Sequence, residues 1–189
     1  VKVLILCGGK GERLKPFTDS VPKPLIKIKD RPILSYLVSH FQSYGFQQFV
    51  IAVGYKTEAI IEYFAREHRN LQVEFVDSGD ADIIDRIKDS SKYLSGDFLM
   101  SYGDTLADVD LNGLIRFHQG HEGDVSITCY PLQSPFGVLE IADNGRITSF
   151  VEKPVLDKWI NIGYYYFSER IMNQLRRHDT FLDFLYEVT

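Results

Sequence analysis

Three stretches of this chain carry side chains suited to anions, a divalent cation and a polyhydroxylated ligand. Residues 7–18 read CGGKGERLKPFT. Gly8, Gly9 and Gly11 directly follow an apolar run, and glycines there let backbone N–H groups approach a phosphate. Lys10, Arg13 and Lys15 add positive charge. The spacing is not that of a P-loop, which needs Gly-Lys-Ser/Thr after four intervening residues, and the third glycine of the dinucleotide fingerprint is missing. A plain glycine-rich turn is the competing reading. Arg13 and the sequence VPKPL at 21–25 weigh against it. Pro22 and Pro24 are expected to hold Lys23 extended, with its ammonium available to a phosphate.

The second stretch is Ser101-Tyr102-Gly103-Asp104. A carboxylate at the C-terminal end of a buried parallel strand lies where such sheets bind ligands. Asp104 is a hard donor, and Gly103 permits close approach. That suits Mg²⁺, which takes few protein carboxylates and completes its shell with phosphate oxygens and water. A turn or cap aspartate is the alternative. Asp108-Val109-Asp110 has the spacing of a metal–nucleotide pair, but it opens a helix, where capping is the expected role. The third stretch is Phe150-Val151-Glu152-Lys153-Pro154, followed by Asn161-Ile162-Gly163. It offers a carboxylate, an ammonium and an amide, or else only an exposed strand end. His118 and His121 are three apart with a glycine between them, a poor metal set and a fraying helix end.

Charge is distributed unevenly. Lys10 to Arg31 holds seven bases against three acids, and Asp77 to Asp110 holds nine acids against three bases. A cationic segment suits a small anion and an acidic one a divalent cation, although solvated faces produce the same pattern. The net charge of −5 argues against a general nucleic-acid binder.

The elements that must carry these groups alternate. Strands are expected at Lys2–Cys7, Phe46–Val53, Leu71–Val76 and Asp97–Tyr102. Helices are expected at Ile33–Tyr44, from a Thr57 cap to about His68, at Asp85–Leu94, and from an Asp110 cap to about His118. This order implies a mostly parallel central sheet with helices on both faces. After residue 123 the pattern changes. Strands at Asp124–Pro131, Phe136–Ala142 and Arg146–Glu152 include a hairpin turning at Asp143-Asn144-Gly145. A strand at Ile160–Phe167 and two amphipathic helices, near Glu169–Arg177 and Thr180–Val188, follow. One domain over residues 1–189 is expected, with halves at 1–122 and 123–189.

The 189 residues suffice for a sizeable core. Cys7 and Cys129 both lie in apolar runs and read as reduced core residues of a cytoplasmic protein. No apolar run reaches the roughly 20 residues that span a bilayer, so no membrane partner is expected. The N-terminal VKVLILCGG reads as a first strand and not as a signal peptide. Trp159 and Tyr164–Tyr166 are expected in the core and sheet.

Taken in order, LCGGKGERLKPFT, VPKPLIKI, SYGDTLADVDL, SFVEKP and INIGYYYF resemble the bacterial sugar-1-phosphate nucleotidyltransferases over nearly the whole chain. VDSGD, YGD with DVDL, and FHQGH look most like the glucose-1-phosphate cytidylyltransferase branch. The resemblance implies a Rossmann-like nucleotidyltransferase fold. It implies that Gly8, Gly9, Gly11, Gly79 and Gly103 border the nucleotide, and that Arg13 and Lys23 contact its phosphates as the catalytic pair. It further implies that Asp104 binds Mg²⁺, and that Gly137, Glu152, Lys153 and Asn161 line a sugar-phosphate pocket. Residues 1–122 would then form a nucleotide half and 123–189 a sugar-phosphate half. The substrates would be an NTP and a sugar 1-phosphate, and a homo-oligomer is left open. Relatives also continue into a segment with a second metal-binding aspartate, for which Asp179 and Asp183 are poor substitutes, so the chain is expected to lack a C-terminal segment.

Two positions depart from the family pattern. Glu12 stands where Thr or Ser is usual, and Asp82-Ile83-Ile84-Asp85 replaces a glycine-rich loop. They keep open a non-catalytic nucleotide- or sugar-phosphate-binding relative. Asp108-Val109-Asp110 keeps open a glycosyltransferase with a nucleotide-sugar donor. For the base, the carboxylates from Asp77 to Asp85 favour rings that offer amino donors. CTP is expected first and GTP second.

Overall fold

The computed structural model describes residues 1–188, so the last residue of the expected domain, Thr189, lies outside the described residues. Two compact units are present. The first comprises residues 1–127 and 163–189, and the second residues 128–162.

The first unit is organised by strands β1 (Lys2–Leu6), β4 (Gln48–Val53), β5 (Gln72–Asp77) and β6 (Phe98–Tyr102). Two short strands, β2 (Lys27–Ile28) and β3 (Arg31–Pro32), pair with each other outside the main sheet. β1 runs parallel to β4 on one side and to β6 on the other, and β5 extends the sheet beyond β4. Two longer strands, β7 (Val125–Gln133) and β10 (Val155–Phe167), complete the order β5-β4-β1-β6-β10-β7. β10 is antiparallel to β6, so the sheet is mostly parallel, as the alternating pattern implies.

Both faces of this sheet are covered. Val3, Leu4 and Ile5 are all fully buried, the continuous apolar run of a doubly covered strand. One face carries Leu4, Val50, Ala52, Met100 and Phe167. It packs on α4 (Ile83–Ser90), α6 (Ile171–Leu175) and α7 (Phe181–Val188) through Ile84, Ile87, Ile171, Leu175 and Phe184. The other face meets α2 (Ile33–Ser43), α3 (Thr57–Glu67) and α5 (Leu111–Gln119). There Phe41 packs edge-on to Phe49, Phe64 to Phe75, and His118 tilts against Tyr166. The short helix α1 (Phe17–Ser20) follows the glycine-rich loop.

Several local expectations are corrected. Thr57 does not cap α3: it is the first helical residue, and the chain enters through Lys56 in a left-handed conformation at φ 52°. Its hydroxyl donates instead to Asp77 Oδ2 at 2.9 Å. Lys23 is not extended but opens a 3₁₀ turn over Lys23–Leu25. The turn closes through Leu25 N–H to Pro22 O at 2.8 Å and Ile26 N–H to Lys23 O at 3.1 Å, which outweigh the extended bias before Pro24. Cys7 is buried, whereas Cys129 is exposed. Trp159 is exposed too, while Tyr164, Tyr165 and Tyr166 are fully buried.

The second unit contains β8 (Val138–Ile141) and β9 (Ile147–Val151), paired antiparallel, with a bulge between Glu140 and Ile141. Gly145, at φ 80°, turns the hairpin. Its side chains are largely exposed, including Tyr130, Phe136 and Phe150.

Candidate active site

The strand order creates the site. From β1 the chain moves outward through β4 and β5, then crosses back to β6 on the opposite side of β1. Loops leaving the C-terminal ends of β1 and β6 therefore diverge, and a crevice opens between them, the position where open parallel sheets take ligands. Leu6 is in register with Tyr102, and Gly103 N–H donates to Leu6 O at 2.9 Å. The glycine-rich loop after β1 and Asp104 after β6 are thus side by side.

A cavity of about 770 Å³ lies there, bordered by Gly8, Gly9, Gly11, Arg13, Lys23 and Asp104. Gly11 sits at φ 65°, a left-handed conformation that favours glycine, and starts the 3₁₀ turn Glu12–Leu14 that carries Arg13. Thr18 Oγ1 donates to Gly11 O at 3.1 Å, and Tyr55 Oη donates to Thr18 O at 2.8 Å, which ties the loop to the sheet. Lys23 forms an ion pair with Asp104 inside the cavity. Lys10 forms another with Asp80, from the glycine-rich loop to the loop after β5.

The arrangement also contains a residue that sequence reasoning counted only as one base in an acidic segment. Arg86 on α4 is 5% exposed and borders the cavity. Its guanidinium donates to Val53 O at 2.7 Å, Gly79 O at 2.8 Å and Gly8 O at 3.2 Å. Burial lowers its pKa, opposed by the charges of Asp80, Asp77 and Asp82. A Cβ on Gly8 would overlap the guanidinium, so the glycine is there for close approach. Cys7 lies beneath the loop, and burial first, then the Asp104 charge, push its thiol pKa well up. A thiol so disfavoured as thiolate is inert.

Gly79 and Gly103 do not border the cavity themselves; Gly79 O accepts from the bordering Arg86, and Gly103 N–H donates to Leu6 O. The other four expected residues, Gly137, Glu152, Lys153 and Asn161, fall in the second unit. Gly137 lies against Phe150 and Glu152: a Cβ there would stand 2.8 Å from the Phe150 ring and 3.0 Å from Glu152 Oε2. Lys153 follows at φ 47°, and Asn161 is exposed on β10.

Asp110 accepts from Gly113 N–H at 2.9 Å and caps α5, so the Asp-x-Asp spacing here serves a helix end. His118 does lie in the last turn of α5, and its ring is buried between Ser126 Oγ and Ser168 Oγ, at 2.9 Å each. Asp183 pairs with Thr180 at the start of α7. Among the described residues no three His, Cys, Asp or Glu side chains converge on a metal position. The single half-buried carboxylate of Asp104 fits a divalent ion whose remaining ligands are phosphate oxygens and water.

The nucleotidyl transferase family profile matches residues 2–188. The chain belongs to the nucleotidyl transferase family. A probable glucose-1-phosphate cytidylyltransferase of Bacillus subtilis (strain 168) is 33% identical over 93% of this chain and 78% of its own length. A mannose-1-phosphate guanylyltransferase catalytic subunit beta of Drosophila melanogaster is 31% identical over 96% of this chain and 52% of its own. Among solved structures, HddC from Yersinia pseudotuberculosis complexed with GMP-PN superposes with a TM-score of 0.76 at 29% identity. That match covers all of this chain and 86% of HddC. The Rossmann-like nucleotidyltransferase architecture is thus established for this nucleotidyltransferase, and among its described residues no helix is long and apolar enough to cross a membrane.

Proposed function

We propose that this nucleotidyltransferase transfers a nucleoside monophosphate from CTP to a sugar 1-phosphate and releases pyrophosphate. The observation that carries the reading is the cavity in which three loop glycines, Arg13, Lys23 and Asp104 converge at the ends of parallel strands. An oxygen of the acceptor phosphate attacks the α-phosphorus in line, the bond to the bridging oxygen breaks, and pyrophosphate leaves. The protein forms no bond in this step. It brings two polyanions together and offsets their repulsion.

Gly8, Gly9 and Gly11 admit the triphosphate close to the main chain, with Gly79 and Gly103 flanking the nucleotide. Arg13 and Lys23 neutralise charge that develops on the α-phosphate and the departing pyrophosphate. Asp104 would hold a divalent ion, Mg²⁺ being the hard cation suited to one carboxylate, and the ion would supply further charge neutralisation at the phosphates. In the second unit, Gly137, Glu152, Lys153 and Asn161 are assigned to the sugar phosphate. In this division of labour one nucleotidyltransferase domain holds a nucleotide half at 1–122 and a sugar-phosphate half at 123–189. CTP is favoured on two grounds: the carboxylates of Asp80 and Asp82, which border the cavity, would accept from amino groups, and similar proteins include cytidylyltransferases. GTP is second, in keeping with the guanylyltransferase relatives.

Pyrophosphate release with glucose 1-phosphate and each of CTP, GTP, UTP and dTTP tests the proposal. CTP consumption should dominate when the four compete at equal concentration. Dominant use of UTP or dTTP would refute the base assignment. No pyrophosphate from any of them, in the presence of Mg²⁺ and several sugar 1-phosphates, would favour a non-catalytic binding protein.

A further inference from the structure

Three backbone carbonyls converge on one buried side chain behind the cavity. They belong to Gly8 after β1, to Val53 at the end of β4 and to Gly79 after β5. All three come from the C-terminal ends of parallel strands, and all three point at Arg86. We propose that Arg86 is a positioning residue for the nucleotide: it fixes the spacing between the glycine-rich loop and the loop at Ser78–Asp82, and so sets which base is accepted. This rests on the reading of the cavity as a nucleotide site.

The chemistry of the guanidinium makes it suited to this work. A planar fork with five N–H donors reaches several acceptors at once, whereas an ammonium on a flexible stem satisfies them as a point charge. Among the described residues Arg86 forms no ion pair, and its guanidinium donates to main-chain carbonyls. Two of its acceptors are shared with the loops themselves. Gly8 O also accepts from Tyr55 N–H at 3.2 Å, and Val53 O from Ser78 N–H at 3.3 Å. Arg86 thus completes two junctions between neighbouring loops and adds a third contact at Gly79, which has φ 58° and a backbone that few other residues would hold.

The walls it braces are the two that differ in task. The glycine-rich loop faces phosphates, and residues 80–83 form the opposite wall of the same cavity. Base selection depends on a small number of hydrogen bonds along a ring edge, and displacement of one wall leaves them unpaired. The Lys10–Asp80 ion pair spans the same two loops, but both partners are exposed and screened by solvent. The buried fork is therefore the part of the bridge that holds geometry.

Two variants test this. Arg86→Lys keeps the charge and loses the fork, and Arg86→Met loses both. Amide hydrogen exchange on the ligand-free protein should quicken at Tyr55 and Ser78 together by about tenfold in Arg86→Lys, while core amides of α2 stay protected. With the wild type as reference, the ratio of kcat/KM for the best NTP over the second best should fall by about tenfold in both variants. A residue that only stabilises the fold would lower Tm and leave the ratio alone. Should Arg86→Met fail to fold, Arg86→Lys decides. Unchanged exchange at Tyr55 and Ser78, or wild-type discrimination in Arg86→Lys, would overturn the proposal. If the wild type turns over no NTP, the nucleotide reading falls by itself, and the exchange experiment still decides whether Arg86 ties the loops.

Discussion

Lys23 and Asp104 neutralise each other inside the cavity, one brought by the turn after Pro22 and the other by the end of β6. Their side chains are 35% and 28% exposed, so the pair is neither a surface ornament nor a sealed core contact. A triphosphate competes with Asp104 for the ammonium, and a divalent ion competes with Lys23 for the carboxylate. Asp104→Asn keeps the shape and removes the charge. Turnover should fall by about a hundredfold or more, and excess Mg²⁺ should not restore it. Metal-free NTP should bind the variant at least as tightly as the wild type, since a repelling carboxylate is gone. Calorimetric titration with and without Mg²⁺ checks this, and a variant with the wild-type Mg²⁺ response would remove Asp104 from the metal.

Arg13→Ala and Lys23→Ala should each slow turnover by about a hundredfold, or about 2.7 kcal/mol of transition-state stabilisation. Arg13 is exposed on its 3₁₀ turn, so its loss should leave Tm close to the wild type. Lys23→Ala leaves Asp104 facing the triphosphate without a partner, and KM should rise further than in Arg13→Ala. A double-mutant cycle of Lys23→Ala with Asp104→Asn should be non-additive, because the groups are in contact. Additivity within about 0.5 kcal/mol would mean that they act separately.

The parts of this site that were legible in the sequence share one property: their signal is local. Gly8, Gly9 and Gly11 after an apolar run, and Asp104 after FLMSY, state both chemistry and position at a strand end. Asp110 was legible as a cap for the same reason. Arg86 was not, because a charged residue on a short helix is expected to face water. Its signal was the pattern of Ile83 and Ser90, three residues before it and four after, which share its side of α4 and pack inward in part or in full. Its three acceptors lie on segments that only the folded sheet brings together. Cys129 and Trp159 failed in the opposite sense. Both belong to apolar stretches of strands that leave the doubly covered sheet for the second unit, where side chains remain exposed.

Gly8→Ala and Gly9→Ala separate close approach from simple flexibility. A Cβ on Gly8 meets the Arg86 guanidinium, which three carbonyls hold in place, whereas a Cβ on Gly9 meets nothing within 4 Å. Gly8→Ala should lose about 1–3 kcal/mol in urea denaturation. Gly9→Ala should stay within about 0.5 kcal/mol of the wild type. Equal losses would mean that Arg86 swings aside at little cost.

His118 supplies a pH dependence remote from the cavity. The imidazole is held between the hydroxyls of Ser126 and Ser168 and packs on Tyr166. Burial lowers its pKa, and the neighbouring His121 lowers it further, against weaker pulls from Asp97 and Asp124. His68, the residue that ends α3, is lowered by burial as well. In the unfolded chain both histidines titrate near the ordinary value of about 6.5. As pH falls below that value, the unfolded state takes up protons before the folded state does, so stability declines through the window between the unfolded and the lower folded pKa. Above about 7 both states are neutral at these sites and the contribution is complete. Tm should therefore drop on going from pH 7 to pH 5.5, and His118→Asn should shift less over that range while being less stable at pH 7. If the variant and the wild type lose the same number of degrees, His118 does not carry the dependence and His68 or the carboxylates must.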